Sequence, residues 1–149
     1  MSLKQKVYNH YLQLIKEKIE TLQHVLDELK ESGANETKST AGDKHETALA
    51  MLQIEQANTR GQLNALLDQL TIFNKINPAL KTTTVVAGSL IKTNHNYLFL
   101  SVALGKALIN GVAVIALSPQ SPLGSKILGL AKGDNVSIKN MVYLIQDVE

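Results

Sequence analysis

The chain lacks cysteine altogether. That excludes a disulfide framework, a thiolate nucleophile, a cysteine-based zinc site and an iron–sulfur cluster. Tryptophan is also absent and aromatic residues make up 4% of the sequence, which gives little support for stacking on single-stranded nucleic acid. Charge of one sign is not in excess. Fifteen Lys and Arg against thirteen Asp and Glu leave +2, far from the strongly basic composition of a protein whose main work is gripping nucleic acid. No apolar run approaches the roughly eighteen residues that cross a bilayer. The opening segment MSLKQKVYNHYLQLIKEKIE carries a charge every few residues, so it does not read as a signal peptide. The expectation is a soluble cytoplasmic protein with no membrane partner.

Catalytic signatures are missing as well. There is no HExxH, no phosphate-binding loop with its lysine and no Gly-rich dinucleotide fingerprint. Ser118, Ser121 and Ser125 beside Gly124 do not form the GxSxG of a nucleophile elbow. His10, His24, His45 and His95 show no metal-ligand spacing. An independent active site is not expected, and the chain does not read as an enzyme in its own right.

What is present falls into two halves with different periods. In the first, Tyr8, Leu12, Ile15, Ile19, Leu22, Leu26 and Leu29 alternate spacings of four and three, the repeat that keeps one helical seam facing a partner. Leu49, Leu52, Gln56, Thr59, Leu63, Leu66, Leu70 and Phe73 repeat the pattern, with two polar residues in the middle. Residues 31–44, rich in Gly, Ser, Thr and Asn, contain no large apolar side chain. The spacing predicts an antiparallel helical hairpin over 1–77 with a tip loop at about 31–44, pairing Leu29 with Leu49, Ile19 with Thr59 and Leu12 with Leu66. The breaker-rich tip favours this over a dimerising coiled coil, and a monomer is expected.

Asn77 and Pro78 end the second helix. Beyond them, 82–91, 97–104, 112–117, 135–140 and 141–148 are short, rich in β-branched and aromatic residues, and read as strands. Ser121 and Pro122 read as the cap and first residue of a short helix bounded by Gly129. Residues 78–149 are therefore expected to form a compact unit of a small sheet with one helix, and the whole chain an α+β protein. Residues 1–77 carry nine basic and ten acidic groups, whereas 78–149 carry six and three, which suits docking of the second part on an acidic surface.

One acid pair stands out at the tip. Asp43 and Glu46 are three residues apart at a helix start, so they share a face and can offer oxygens to one divalent ion. The same spacing is that of a capping box, with Asp43 capping the helix and Glu46 returning to its amide. Spacing leaves both readings open. Two carboxylates cannot complete a tight Mg²⁺ site; they can complete one whose other ligands come from a second macromolecule or from phosphate.

Two patches carry a family resemblance. SPLGSKILGLAKGDNV, with Ser121, Pro122, Leu123, Gly124, Leu128, Gly129, Gly133, Asp134 and Val136, and the tip triplet Gly42, Asp43 and Glu46 resemble the Gre-type bacterial transcript cleavage factors. That resemblance implies an amino-terminal antiparallel coiled-coil hairpin and, over 78–149, a small FKBP-like antiparallel β domain with a short helix. It implies further that the hairpin enters the secondary channel of RNA polymerase while residues of the 121–134 patch dock at the channel rim. Asp43 and Glu46 would then help hold a Mg²⁺ shared with the polymerase, so that water cuts the 3′ end of backtracked nascent RNA. Three departures are visible: Lys44 and His45 lie between the acids where the family usually has an uncharged Leu-Ser pair, Thr47 follows the second acid where Asn is common, and the basic residues along the hairpin reduce to Lys16, Lys18 and Arg60. A channel-bound regulator without hydrolysis is the alternative reading, followed by an FKBP-like chaperone or isomerase and a coiled-coil adaptor.

Overall fold

Two helices of more than thirty residues open the chain: in a computed structural model describing residues 1–36 and 43–149, with side chains of 1–34 and 46–149, α1 spans Leu3–Glu36 and α2 spans Asp43–Asn74. Among the described residues follow β1 (Leu90–Thr93), β2 (Tyr97–Leu100), β3 (Gly105–Ile109), β4 (Val112–Leu117), α3 (Pro122–Ile127), β5 (Asn135–Ile138) and β6 (Met141–Val148). The protein is α+β. Its chain divides into two compact units, one of Met1–Gln13 with Thr71–Glu149, the other of Leu14–Leu70.

The Leu14–Leu70 unit is a pair of antiparallel helical segments whose seam buries Ile15, Ile19 and Leu26 against the α2 side, where Thr59 is buried. Helix extends into both flanks of the expected 31–44 loop, α1 as far as Glu36 and α2 from Asp43. The remainder of that loop lies outside the described residues. Gln56 donates from Nε2 to the Leu29 carbonyl at 3.2 Å. The expected partner of Leu29 was Leu49, seven residues earlier. Seven residues rise about 10 Å along a helix, farther than a glutamine side chain reaches, so the helices meet in a register displaced by nearly two turns from the expected one: Gln56 also lies beside Gly33, and Leu29 does not stand opposite Leu49. Gln56 thus finds a backbone acceptor in the partner helix, and the polar break in the seam is hydrogen-bonded.

In the other unit the strands form one sheet of order β3-β4-β2-β1-β6-β5. One pair departs from the antiparallel expectation: β2 and β4 run parallel, Leu98 opposite Ile115. The chain reaches that geometry by way of β3, which the sequence reading passed over. Asn110 and Gly111 both have positive φ (53° and 81°) between Ile109 and Val112, the signature of a two-residue hairpin that returns β3 onto β4. Lys139 and Asn140 close the β5–β6 hairpin in the same way, with φ of 49° and 68°.

The expected strand at 82–91 is mostly irregular. Only Leu90 and Ile91 join β1, while Thr84 makes an isolated bridge to Ala131. The break lies at Gly88, whose φ of 94° disfavours any residue with a Cβ, and at Ser89, whose hydroxyl accepts from the Val86 amide at 3.0 Å.

Alternation along β2 puts the sheet between two layers. Leu98 and Leu100 belong to a cluster with Val85, Ile91, Leu117, Ile127 and Ile145, against which Leu123 of α3 and Val136 of β5 pack. Phe99 faces the opposite way. There its ring meets Tyr11 at 6.2 Å, stacked, and Phe73 at 5.9 Å, edge-on. Tyr11, Phe73 and Phe99 are fully buried, so the start of α1 and the end of α2 form the second layer over the sheet.

Candidate functional site

The acid pair lies in the first turn of α2. Asp43 is the first helical residue and Glu46 stands three residues further on, so the backbone puts both on one side of that turn, at the positive end of the helix dipole. Glu46 is exposed. Gly42 and the side chains of Asp43, Lys44 and His45 lie outside the described residues. Among the described residues no group of three or more His, Asp or Glu could hold a metal ion.

The patch at 121–134 is built from turn chemistry. Ser121 caps α3: its hydroxyl accepts from the Gly124 amide at 3.0 Å and donates to the Ser118 carbonyl at 2.7 Å, and Pro122 occupies the first turn. Gly124 is buried, and a Cβ there would collide with the Ser118 carbonyl oxygen. Gly129 and Gly133 have φ of 85° and 96° and donate to the carbonyls of Val85 and Ile145, each at 2.8 Å. Asp134 accepts from the Ala131 amide at 2.9 Å through its carboxylate. Leu123 packs inward on the core. What the patch leaves at the surface is Pro122, Ser125, Lys126, the exposed Leu128, Lys132 and the Gly129, Gly133 and Asp134 turns.

Sequence reading placed Tyr8 in the seam but missed how the start of α1 is fastened, through Lys4 and Tyr11 as well, to the end of α2, the segment after it and the sheet. Lys4, 4% exposed, donates from Nζ to the Leu80 carbonyl at 2.5 Å. Tyr8 donates to the Phe73 carbonyl at 3.2 Å, with its ring stacked on that of Phe73 at 5.4 Å. Tyr11 donates to the Gly105 carbonyl at 2.9 Å. Burial lowers the Lys4 pKa below its ordinary 10.5, against the opposing attraction of Glu149, and burial raises that of Tyr11 above 10.0. One signal was available: Lys4, Tyr8 and Tyr11 recur at helical spacing, and a tyrosine whose ring is buried needs a partner for its hydroxyl.

Two cavities in the unit that holds the sheet are about 120 Å³ each, one bordered by Lys4, Lys75 and Thr82 and the other by Lys92, Tyr97 and Asp147. Both are small beside the ~300 Å³ at which pockets for organic ligands begin.

Fold and site together define an α+β protein whose paired helices carry two acids at the start of the second helix. No family model matches the chain, and no curated protein matches it. A solved structure described as that of the transcription factor Gfh1 is similar over 92% of this chain and 92% of that chain, at 15% identity and a TM-score of 0.38. No helix among the described residues is long and apolar enough to cross a membrane.

Proposed function

We propose that this protein is a transcription factor of the Gre type that binds bacterial RNA polymerase through its secondary channel and stimulates cleavage of backtracked nascent RNA. The observation that carries the reading is the place of Asp43 and Glu46: the first turn of α2, where two helices of 34 and 32 residues meet their connection. A factor that works inside another enzyme needs reach and a small charged end, and needs no pocket of its own. Helices of this length extend about 50 Å at roughly 1.5 Å per residue.

In this reading Asp43 and Glu46, both ionised, add carboxylate oxygens to a Mg²⁺ shared with the polymerase. The ion, when bound, supplies Lewis-acid activation of water and stabilises charge on the phosphate. The chain's part is to bring two acceptors to the 3′ end and hold them on a rigid helical turn, which limits the reorganisation left for the transition state. Docking falls to the surface of the 121–134 patch, whose shape is fixed by the Ser121 cap and the Gly129 and Gly133 turns. The working form is a single hairpin in the cytoplasm.

Lys44 and His45 favour a second reading, in which the protein occupies the channel and alters pausing or initiation without hydrolysis. A cation between the two acids competes with a metal for them. Equilibrium binding of the fluorescently labelled chain to core polymerase tests what both readings share. Saturable binding at one chain per polymerase, weakened by substitution of Leu128 with Glu, supports them; no binding at micromolar polymerase overturns both.

A further inference from the structure

Lys4 is buried at 4% exposure, and of the N–H donors of its ammonium group one is taken, by the Leu80 carbonyl. A buried ammonium with donors left over is costly, because each unmet N–H has given up its water. Glu149 is the acid whose attraction Lys4 feels, yet no hydrogen bond joins the two among the described residues. The remaining donors of Lys4 therefore call for an acceptor that the described residues do not supply.

The place for one is the cavity of about 120 Å³ beside it. Lys75, Asn77, Thr82 and the turn at Ala87 and Gly88 also border this space, and no acid does. Asn77 accepts the Ala79 amide through Oδ1 at 3.0 Å, which leaves the NH₂ half of its carboxamide as a donor. Thr82 is committed elsewhere: its hydroxyl donates to the Thr84 carbonyl at 2.9 Å and pairs with the Ser89 hydroxyl at 3.2 Å. The last carbonyls of α2 would repel an anion if they were bare. They are not, since Ile72 accepts from the Lys75 amide at 3.2 Å, and Phe73 from the Ile76 amide at 3.0 Å and from the Tyr8 hydroxyl. What faces an incoming ligand is thus two cations and a carboxamide donor. The surrounding unit has the same sign: Met1–Gln13 with Thr71–Glu149 contains nine Lys, no Arg and three acids, a net of +6.

We propose that this cavity binds a free inorganic phosphate ion, held by the ammonium groups of Lys4 and Lys75 and the carboxamide of Asn77. A compact anion with four acceptor oxygens can answer donors that come from α1 and from the segment after α2 at once. The space takes few heavy atoms and is too small for the organic part of a nucleotide. Bound there, the ion ties the start of α1 to the residues that follow α2. The inference does not depend on the polymerase reading.

Amide NMR of the full chain at neutral pH tests it, with phosphate raised from about 0.1 to 30 mM and ionic strength held constant with chloride. The expected result is saturable shifts at Lys75, Ile76, Ala87 and Gly88 and at the Asn77 carboxamide, half complete below about 5 mM. Phosphate also raises the thermal midpoint above that of the chloride control. Lys75→Ala changes an exposed position and weakens binding about threefold or more. Lys4→Met, its fold checked by circular dichroism, weakens binding at least about tenfold. No saturable shift by about 30 mM, or equal shifts with chloride alone, overturns the proposal. So does a folded Lys4→Met or Lys75→Ala that binds like the wild type. Adenosine monophosphate distinguishes the source of the phosphate: weaker binding than inorganic phosphate supports the free ion, and tighter binding overturns it.

Discussion

The hydroxyl of Tyr11 donates to the carbonyl of Gly105 at 2.9 Å while its ring stacks on Phe99. One side chain of α1 therefore fixes the helix to the strand edge and to the sheet face together. Tyr11→Phe keeps the ring and removes the bond, and is expected to cost about 0.5–1.5 kcal/mol. Tyr11→Ala removes both and costs about 3–5 kcal/mol. Urea unfolding of the two variants checks the difference; equal losses would mean that ring burial contributes nothing beyond the bond.

Lys4 and Tyr11 predict a signature in alkali. The folded state binds the Lys4 proton less tightly than the unfolded chain does, so stability from this residue rises with pH between its lowered folded pKa and 10.5. Tyr11 acts in the opposite sense. Its folded pKa is raised, so its contribution is complete below pH 10.0 and falls as pH climbs toward the folded value. Lys4→Met therefore loses the rising limb and Tyr11→Phe loses the falling one, as read from unfolding free energies between pH 8 and 11 (about the span of both titrations). Profiles parallel to wild type would contradict both assignments.

The 121–134 patch is expected to be sensitive where it is buried. Gly124→Ala drives a methyl into the Ser118 carbonyl and should cost about 1–3 kcal/mol. Ser121→Ala removes the α3 cap and should cost about 1 kcal/mol. Thermal unfolding measures both. A Gly124→Ala protein as stable as wild type would show that the close approach of Ser118 is not rigid.

How far the sequence determined this structure differs from place to place. Heptad spacing and the change of period after Pro78 were enough for two long helices and a small sheet, because both patterns follow from which side chains one face must bury. The parallel β2–β4 pair was hidden for a specific reason: the Gly105–Ile109 strand opens on Gly and Lys and leaves Leu108 75% exposed, so it lacks the alternation of a half-buried strand. Asn110-Gly111 was the signal that could have revealed it. Anchoring by Lys4 and Tyr11 was less accessible, since it joins residues about ninety positions apart for Tyr11 and Gly105 and seventy-six for Lys4 and Leu80. Of the candidate site, spacing shows that Asp43 and Glu46 share a turn, but not whether a metal or a backbone amide takes their oxygens. Both uses need the same two carboxylates at the same spacing, so no local pattern separates them.

The central claim is best tested on nascent RNA itself. In a purified, backtracked polymerase complex with Mg²⁺, the rate of 3′ shortening would be followed with the wild-type chain, Asp43→Ala and Glu46→Ala, alongside binding of each. The account predicts shortening accelerated by the wild type and slowed by about a hundredfold or more in either variant, with binding kept within about twofold. A wild-type protein that binds the polymerase yet leaves the RNA uncut, or one whose acceleration both variants retain, would contradict it.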